Sequence, residues 1–149
     1  MNVNFELVTE VQSLLRRDFP VADRDLVNPN NANPLMDGEF MAIDTSYKLV
    51  RATSLGFGLA LFVERGRMDV QAIGKATVLF GGTYEADTRV FTTAGITAVG
   101  QKLEISDSVS VDTLTKSGLK IFTTGEVVGF VTRLPANNGG RLRFIQTLV

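Results

Sequence analysis

The residues that could do chemistry are few, and they lie close together in sequence rather than in a known constellation. Asp44, Thr45, Ser46 and Lys48 place a carboxylate, two hydroxyls and an amine within five positions. A hydroxyl nucleophile needs such a neighbour as its general base. In an extended chain, however, positions 44, 46 and 48 share a face as in any alternating ladder, so the spacing predicts a solvated strand surface. Glu104, Asp107 and Asp112 supply oxygens of the kind that bind calcium, yet the intervening sequence lacks the spacing and glycine of a calcium loop, so they read as turn acids. Arg65-Gly66-Arg67 would suit an anion but reads first as a solvent-facing turn. The chain contains no histidine and no cysteine, which removes the commonest general base, the commonest metal ligand and the thiol nucleophile. The expectation is a protein that is not an enzyme and uses no cofactor or metal.

The elements available to position these groups are mostly β. After the Asp37-Gly38 turn signal, short runs rich in β-branched and aromatic residues alternate with period two. Strands are expected over 39–44, 47–52, 55–64, 75–80, 83–91, 102–105, 108–112, 119–122, 127–134 and 141–149. Their spacing, with Gly, Asp, Asn or Ser between them, is that of a sandwich or barrel rather than of βαβ units. In LGFGLALFV, Leu55, Phe57, Leu59, Leu61 and Val63 fall on one face. Gly56, Gly58 and Ala60 fall on the other, nearly bare, and predict a close-packing face that another backbone approaches. The glycines lack the spacing of a phosphate-binding loop. PANNGG, residues 135–140, supplies the positive φ of a hairpin turn before a final strand with Leu142, Phe144 and Leu148 on one face.

The N-terminal region has a different character. Leu7, Val8, Val11, Leu14 and Leu15 form one stripe at helical spacing, with Asn4 placed to cap a helix over 4–17, although a strand over 5–11 competes. Asp18-Phe19-Pro20 would end that helix. Residues 21–34 then bring Pro29, Pro34 and four asparagines, Asn28, Asn30, Asn31 and Asn33, which exclude a helix or central strand. Long structureless loops are uncommon inside compact domains. The expected organisation is therefore an N-terminal arm and linker over 1–34 and a β-rich body over 35–149.

Size and charge narrow the partners. A chain of 149 residues, 44% hydrophobic with net charge −1, is long enough to bury a core and too apolar for disorder. Residues 1–38 carry three basic and six acidic groups, and the remaining twelve basic groups are interspersed with ten acidic ones. No clustered basic face suits a nucleic-acid backbone. No run reaches the roughly 18 apolar residues of a membrane span, and no signal peptide is evident, so a soluble protein is expected.

The ordered series NPLMDGEFMAIDTSYKLVR, GGTYEADTRVF, VGQKLEI, SGLKIF and EVVGFVTRL, with a strand after NNGG, resembles the decoration (cement) proteins of tailed-bacteriophage heads over about residues 33–149. The resemblance implies a β-barrel-like or β-tulip-like body, usually a homotrimer, that binds the major capsid protein on the outer surface of the virion. It also implies an N-terminal arm that grips capsid or subunit neighbours. On that reading the contacts are Leu7, Val11, Leu14 and Leu15 of the stripe, with Leu26, Val27 and Leu35 of the extended segment adding to a neighbouring sheet edge. Two other readings stand beside it: another virion component such as a tail or head-fibre protein, and a small-molecule-binding β-barrel.

Overall fold

The computed structural model describes residues 5–7, 15–28, 30–53, 61–65, 74–81 and 83–146. The protein is mostly β. Among these residues the strands are β1 (Phe5–Leu7), β2 (Leu15–Pro20), β3 (Phe40–Ile43), β4 (Leu49–Arg51), β5 (Leu61–Arg65), β6 (Lys75–Gly81), β7 (Tyr84–Thr88), β8 (Lys102–Val111), β9 (Leu114–Ile121), β10 (Gly129–Arg133) and β11 (Leu142–Gln146). They form a six-stranded sheet, β1-β7-β11-β10-β8-β9, and a five-stranded sheet, β2-β6-β5-β3-β4, curled as a half-barrel. Strand-to-strand pairing is antiparallel throughout.

Alternation along the strands explains both layers of packing. Phe40 on β3 and Leu79 on β6 face the six-stranded sheet, where they join Tyr84, Ala86, Leu103, Leu119, Val131, Leu142 and Phe144 in the main core. Their neighbours Met41, Ala76 and Val78 face the other way, into a second core with Phe19, Val21, Val27, Leu35 and Leu49. The five-stranded sheet is thus buried on both faces. Its outer face is covered by the chain between β2 and β3, where a single 3-10 turn (Arg24–Val27) carries Val27 inward.

That covering segment is the asparagine- and proline-rich run, and its asparagines act locally. Asn28 Oδ1 accepts the Asn30 N–H at 3.0 Å, and Asn31 Oδ1 accepts the Asn33 N–H at 2.8 Å. These side chains supply the partners that a ladder would otherwise give. Residues 30–38 therefore pair with no strand, as expected, and the strand expected from 39 begins at Phe40. Residues 30–38 are nevertheless fastened to the sheets rather than held apart as a tether: Leu35 is nearly fully buried, as is Val27 just before them.

The N-terminal helix is corrected where it can be described: residues 5–7 and 15–20 are strands. Phe5, Glu6 and Leu7 pair with Thr88, Asp87 and Ala86, and β2 runs along β6 from Leu15↔Gly81 to Pro20↔Lys75. An isolated helix of this length is marginal, whereas the exposed edges of β6 and β7 offer a ready set of backbone partners. Pro20 ends a strand, on the edge of a sheet where its missing N–H is tolerated. Val8, Val11 and Leu14 lie outside the described residues, as do Gly56, Gly58 and Ala60 of the close-packing face.

The separate strands expected over 102–105 and 108–112 are one strand, β8, with its register shifted between Ser106 and Val109. It turns into β9 through Asp112 (φ 50°) and Thr113 (φ 68°), the paired positive φ of a tight hairpin. The expected 119–122 strand begins earlier, at Leu114. The turn after β10 follows its sequence signal, with Gly139 at φ 62° and Gly140 at φ 81°.

Candidate functional site

The Asp44–Lys48 stretch is the turn of the β3–β4 hairpin, not a strand face. Asp44 Oδ1 accepts the backbone N–H groups of Ser46 (2.8 Å) and Lys48 (3.0 Å), and the Lys48 carbonyl accepts the Asp44 N–H at 2.8 Å. A carboxylate that fixes its own turn is not placed as a base toward Ser46. Tyr47 takes φ 64°, and its ring lies 5.9 Å from that of Phe19.

The acids expected near one another do not converge. Asp112 sits in the β8–β9 turn, and the Asp107 carboxylate accepts the hydroxyl of Ser108 at 3.0 Å. No metal-ligating cluster of three such groups occurs among the described residues. Glu104 instead anchors the loop after β9. It meets Lys120 Nζ at 2.9 Å, and it accepts the Gly125 N–H at 2.6 Å and the Thr123 hydroxyl at 3.1 Å. Burial by itself raises the Glu104 carboxyl. Lys120 and the donors of Gly125 and Thr123 together outweigh that and bring it from an ordinary 4.5 down to about 2. Glu104 and Lys120 line a cavity of about 220 Å³ with Thr53, Asp107 and Glu126. That is below the roughly 300–1,000 Å³ of a drug-sized ligand site, and two of its charged walls, Glu104 and Lys120, are paired with each other.

The most concentrated electrostatics lie where sequence reasoning saw only the start of a strand. Glu39, fully buried, precedes β3 and receives Arg51 Nε from β4 at 3.0 Å, while Lys116 Nζ of β9 approaches at 3.9 Å. Two backbone groups complete it: the Met36 N–H at 2.7 Å and the Ser117 N–H at 3.1 Å. Both cations also hold the preceding loop, Arg51 Nη2 donating to the carbonyls of Asn33 (3.0 Å) and Pro34 (3.1 Å), and Lys116 Nζ to that of Pro34. One carboxylate thus faces two cations. Burial lowers Lys116 below its ordinary 10.5; Glu39 pulls it back up and Arg51 adds to the lowering.

A second buried pair uses the register of β7 and β11. Asp87, opposite Arg143, takes a two-pronged contact from its Nε (2.8 Å) and Nη2 (3.1 Å). On the opposite, core-facing side of the same two strands, the buried Tyr84 hydroxyl donates to Gln146 Oε1, and burial raises that phenol well above its ordinary value. Neither pair was legible from the sequence, because each depends on strand register. For Glu39 the available signal was an acid placed directly against the apolar run FMAI.

Of the expected contact residues, Leu7 and Leu15 lie on the edge strands β1 and β2, one in each sheet. Leu26, half-buried, Val27 and Leu35 pack in the second core of their own chain, so Val27 and Leu35 are not presented to a partner. Val27 and Leu35, expected to add to a neighbouring sheet edge, instead cover a face of their own five-stranded sheet.

No family model, curated protein or solved structure matches this chain.

Proposed function

We propose that the protein is a structural component of a tailed-phage virion, a decoration protein that binds the major capsid protein on the outer surface of an icosahedral shell and stabilises it as a homotrimer. The body would be a small barrel or sandwich of the β-tulip kind. Support comes from the resemblance over residues 33–149 and from the way polar groups are used. The observation that carries the non-enzymatic part is that Asp44, Glu39, Asp87 and Glu104 are each engaged by backbone amides or cations of their own chain. Side chains so engaged hold loops and registers, which supports a structural reading.

The contact falls to the N-terminal residues around Leu7, Val11, Leu14 and Leu15. Among the described residues Leu7 and Leu15 stand on the outermost strands of the two sheets, the position from which a neighbour's strand could be added. The mechanism is mass action: a subunit that binds the closed shell better than free capsid protein stabilises the shell by that difference in affinity. The test is to mix the purified protein with shells assembled from the capsid protein of the same genome and lacking it, then to sediment. Saturable co-sedimentation at one copy ratio is expected; a protein left wholly in the supernatant refutes the reading.

A further inference from the structure

The outer edge of β9 is closed by groups of its own chain at every second residue. The Thr115 carbonyl accepts Asn33 Nδ2 at 2.9 Å, and the Ser117 N–H donates to Glu39 at 3.1 Å. Farther along, Leu119 donates its N–H to the Val90 carbonyl (3.1 Å) and accepts the Thr92 N–H (2.8 Å). Outward backbone groups recur with period two on an edge strand, and left open they template pairing with another chain. At Leu119 the cover is backbone, a short crossing through Phe91. At Thr115 and Ser117 it is two side chains of residues 30–39, held down by Arg51 and Lys116.

We propose that residues 30–39 are a strap whose ionic fastening keeps β9 from pairing with β9 of a second copy, and that Lys116 is a second guard against the same event. The stretch that release of the strap would open lies between the hairpin turn at 112–113 and the crossing at Leu119. Within it, an antiparallel two-fold pairing in which Thr115 and Ser117 of one copy exchange N–H···O=C bonds with Ser117 and Thr115 of the other places Lys116 opposite Lys116. Directly opposed residues in such a pair sit roughly 4.5–5.5 Å apart, and like charges there are destabilising. Leu114 meets only Gly118. The second copy is therefore the occupant that fits the stretch once the lysine is neutral. This inference stands independently of the virion reading.

The test compares two variants with the wild-type chain. Glu39→Met/Arg51→Met/Lys116→Met removes the fastening without leaving an orphaned buried charge; Glu39→Met/Arg51→Met keeps the lysine. Sedimentation velocity over a roughly hundredfold concentration range, with amide exchange at Ser117, reads both guards. In both variants the Ser117 amide is expected to exchange at least about tenfold faster at low concentration, where no pairing occurs. Only the variant without Lys116 should gain a species of about twice the wild-type mass, and adding Ser117→Pro, which deletes the pairing N–H, should abolish it. A wild-type sedimentation profile for the triple variant, or association that survives Ser117→Pro, overturns the proposal. If the triple variant does not fold, Glu39→Leu/Arg51→Leu/Lys116→Leu enters the same assay with the same two outcomes, since it removes the same fastening and the Ser117 acceptor with side chains of different shape.

Discussion

The Glu39 carboxylate accepts the backbone N–H of Ser117 at 3.1 Å, across 78 positions of sequence and from one sheet to the other. One side chain thereby caps a strand edge, closes the loop that precedes its own strand through the Met36 N–H, and balances Arg51. Removing it should be severe. Glu39→Ala leaves two cations and two amides without their anion, and breaking a buried charge cluster in this way costs about 3–5 kcal/mol. Lys116→Met should behave in the opposite manner. It deletes the excess cation while Arg51 keeps Glu39 paired, so stability should stay within about 1 kcal/mol of wild type or rise. Urea denaturation of the two variants distinguishes them, and equal losses would show that Lys116 is as necessary as Arg51.

Glu104 predicts an acid-side dependence. Its carboxyl is lowered from 4.5 to about 2, so the unfolded chain takes up that proton first as pH falls. The stability it contributes is present in full above 4.5 and is lost progressively down to about 2. At neutral pH Glu104→Gln should cost about 1.5–3 kcal/mol, the range for hydrogen bonds to a charged group. The difference between wild type and variant should shrink across that acid window. A difference that does not change with pH would remove the charge from the explanation. Lys116 has the opposite sign convention but the same direction. Its depressed value means the folded chain sheds the proton first, so its contribution rises with pH up to 10.5, and Lys116→Met should flatten that alkaline rise.

Two turn and contact positions make opposite predictions for small substitutions. Thr113, exposed at φ 68° in the β8–β9 turn, is a β-branched residue in a region that favours glycine. Thr113→Gly should relieve strain and stabilise by about 1 kcal/mol after the added chain entropy of glycine is counted. Gly118 is the reverse case, since a Cβ there would come 2.2 Å from the Val90 carbonyl oxygen. Gly118→Ala should displace the crossing over β9 and cost at least the roughly 1–3 kcal/mol of overpacking, read as a lower melting temperature.

What the sequence disclosed and what it hid divide along one physical line. Strands whose burial alternates residue by residue were legible, as in β11, where Leu142, Phe144 and Gln146 are buried and Arg143 and Ile145 less so. The tight turns carried by Asp37-Gly38 and Asn-Gly were legible for the same local reason. Of the N-terminal strands only β1 was foreseen, as the competing reading over 5–11, because their conformation is decided by the edges of β6 and β7 rather than by their own pattern. Val27 and Leu35 were hidden too. Each belongs to a two-residue apolar run, Leu26-Val27 or Leu35-Met36, among turn residues, and its burial comes from the outer face of a sheet assembled from elsewhere. The ionic cluster joins positions 39, 51 and 116, which only the packing of two sheets brings together.

The same line decides the final prediction. An autonomous body beginning near residue 35 would survive deletion of residues 1–33. In the structure that deletion removes β2 from the edge of β6 and takes Phe19, Val21 and Val27 out of the second core, where each is at most 3% exposed. Each such side chain contributes about 1.5–3 kcal/mol when buried, so the three approach the roughly 5–15 kcal/mol that holds a whole domain. Asn33 and its hold on Thr115 go as well. The truncated chain should therefore fail to give a cooperative thermal transition, and any loss of shell binding it shows would report unfolding. Shell attachment must be probed by substitution instead. A truncated chain that melts cooperatively near the wild-type temperature would show that the Asn- and Pro-rich segment merely lies against the sheet without supporting it.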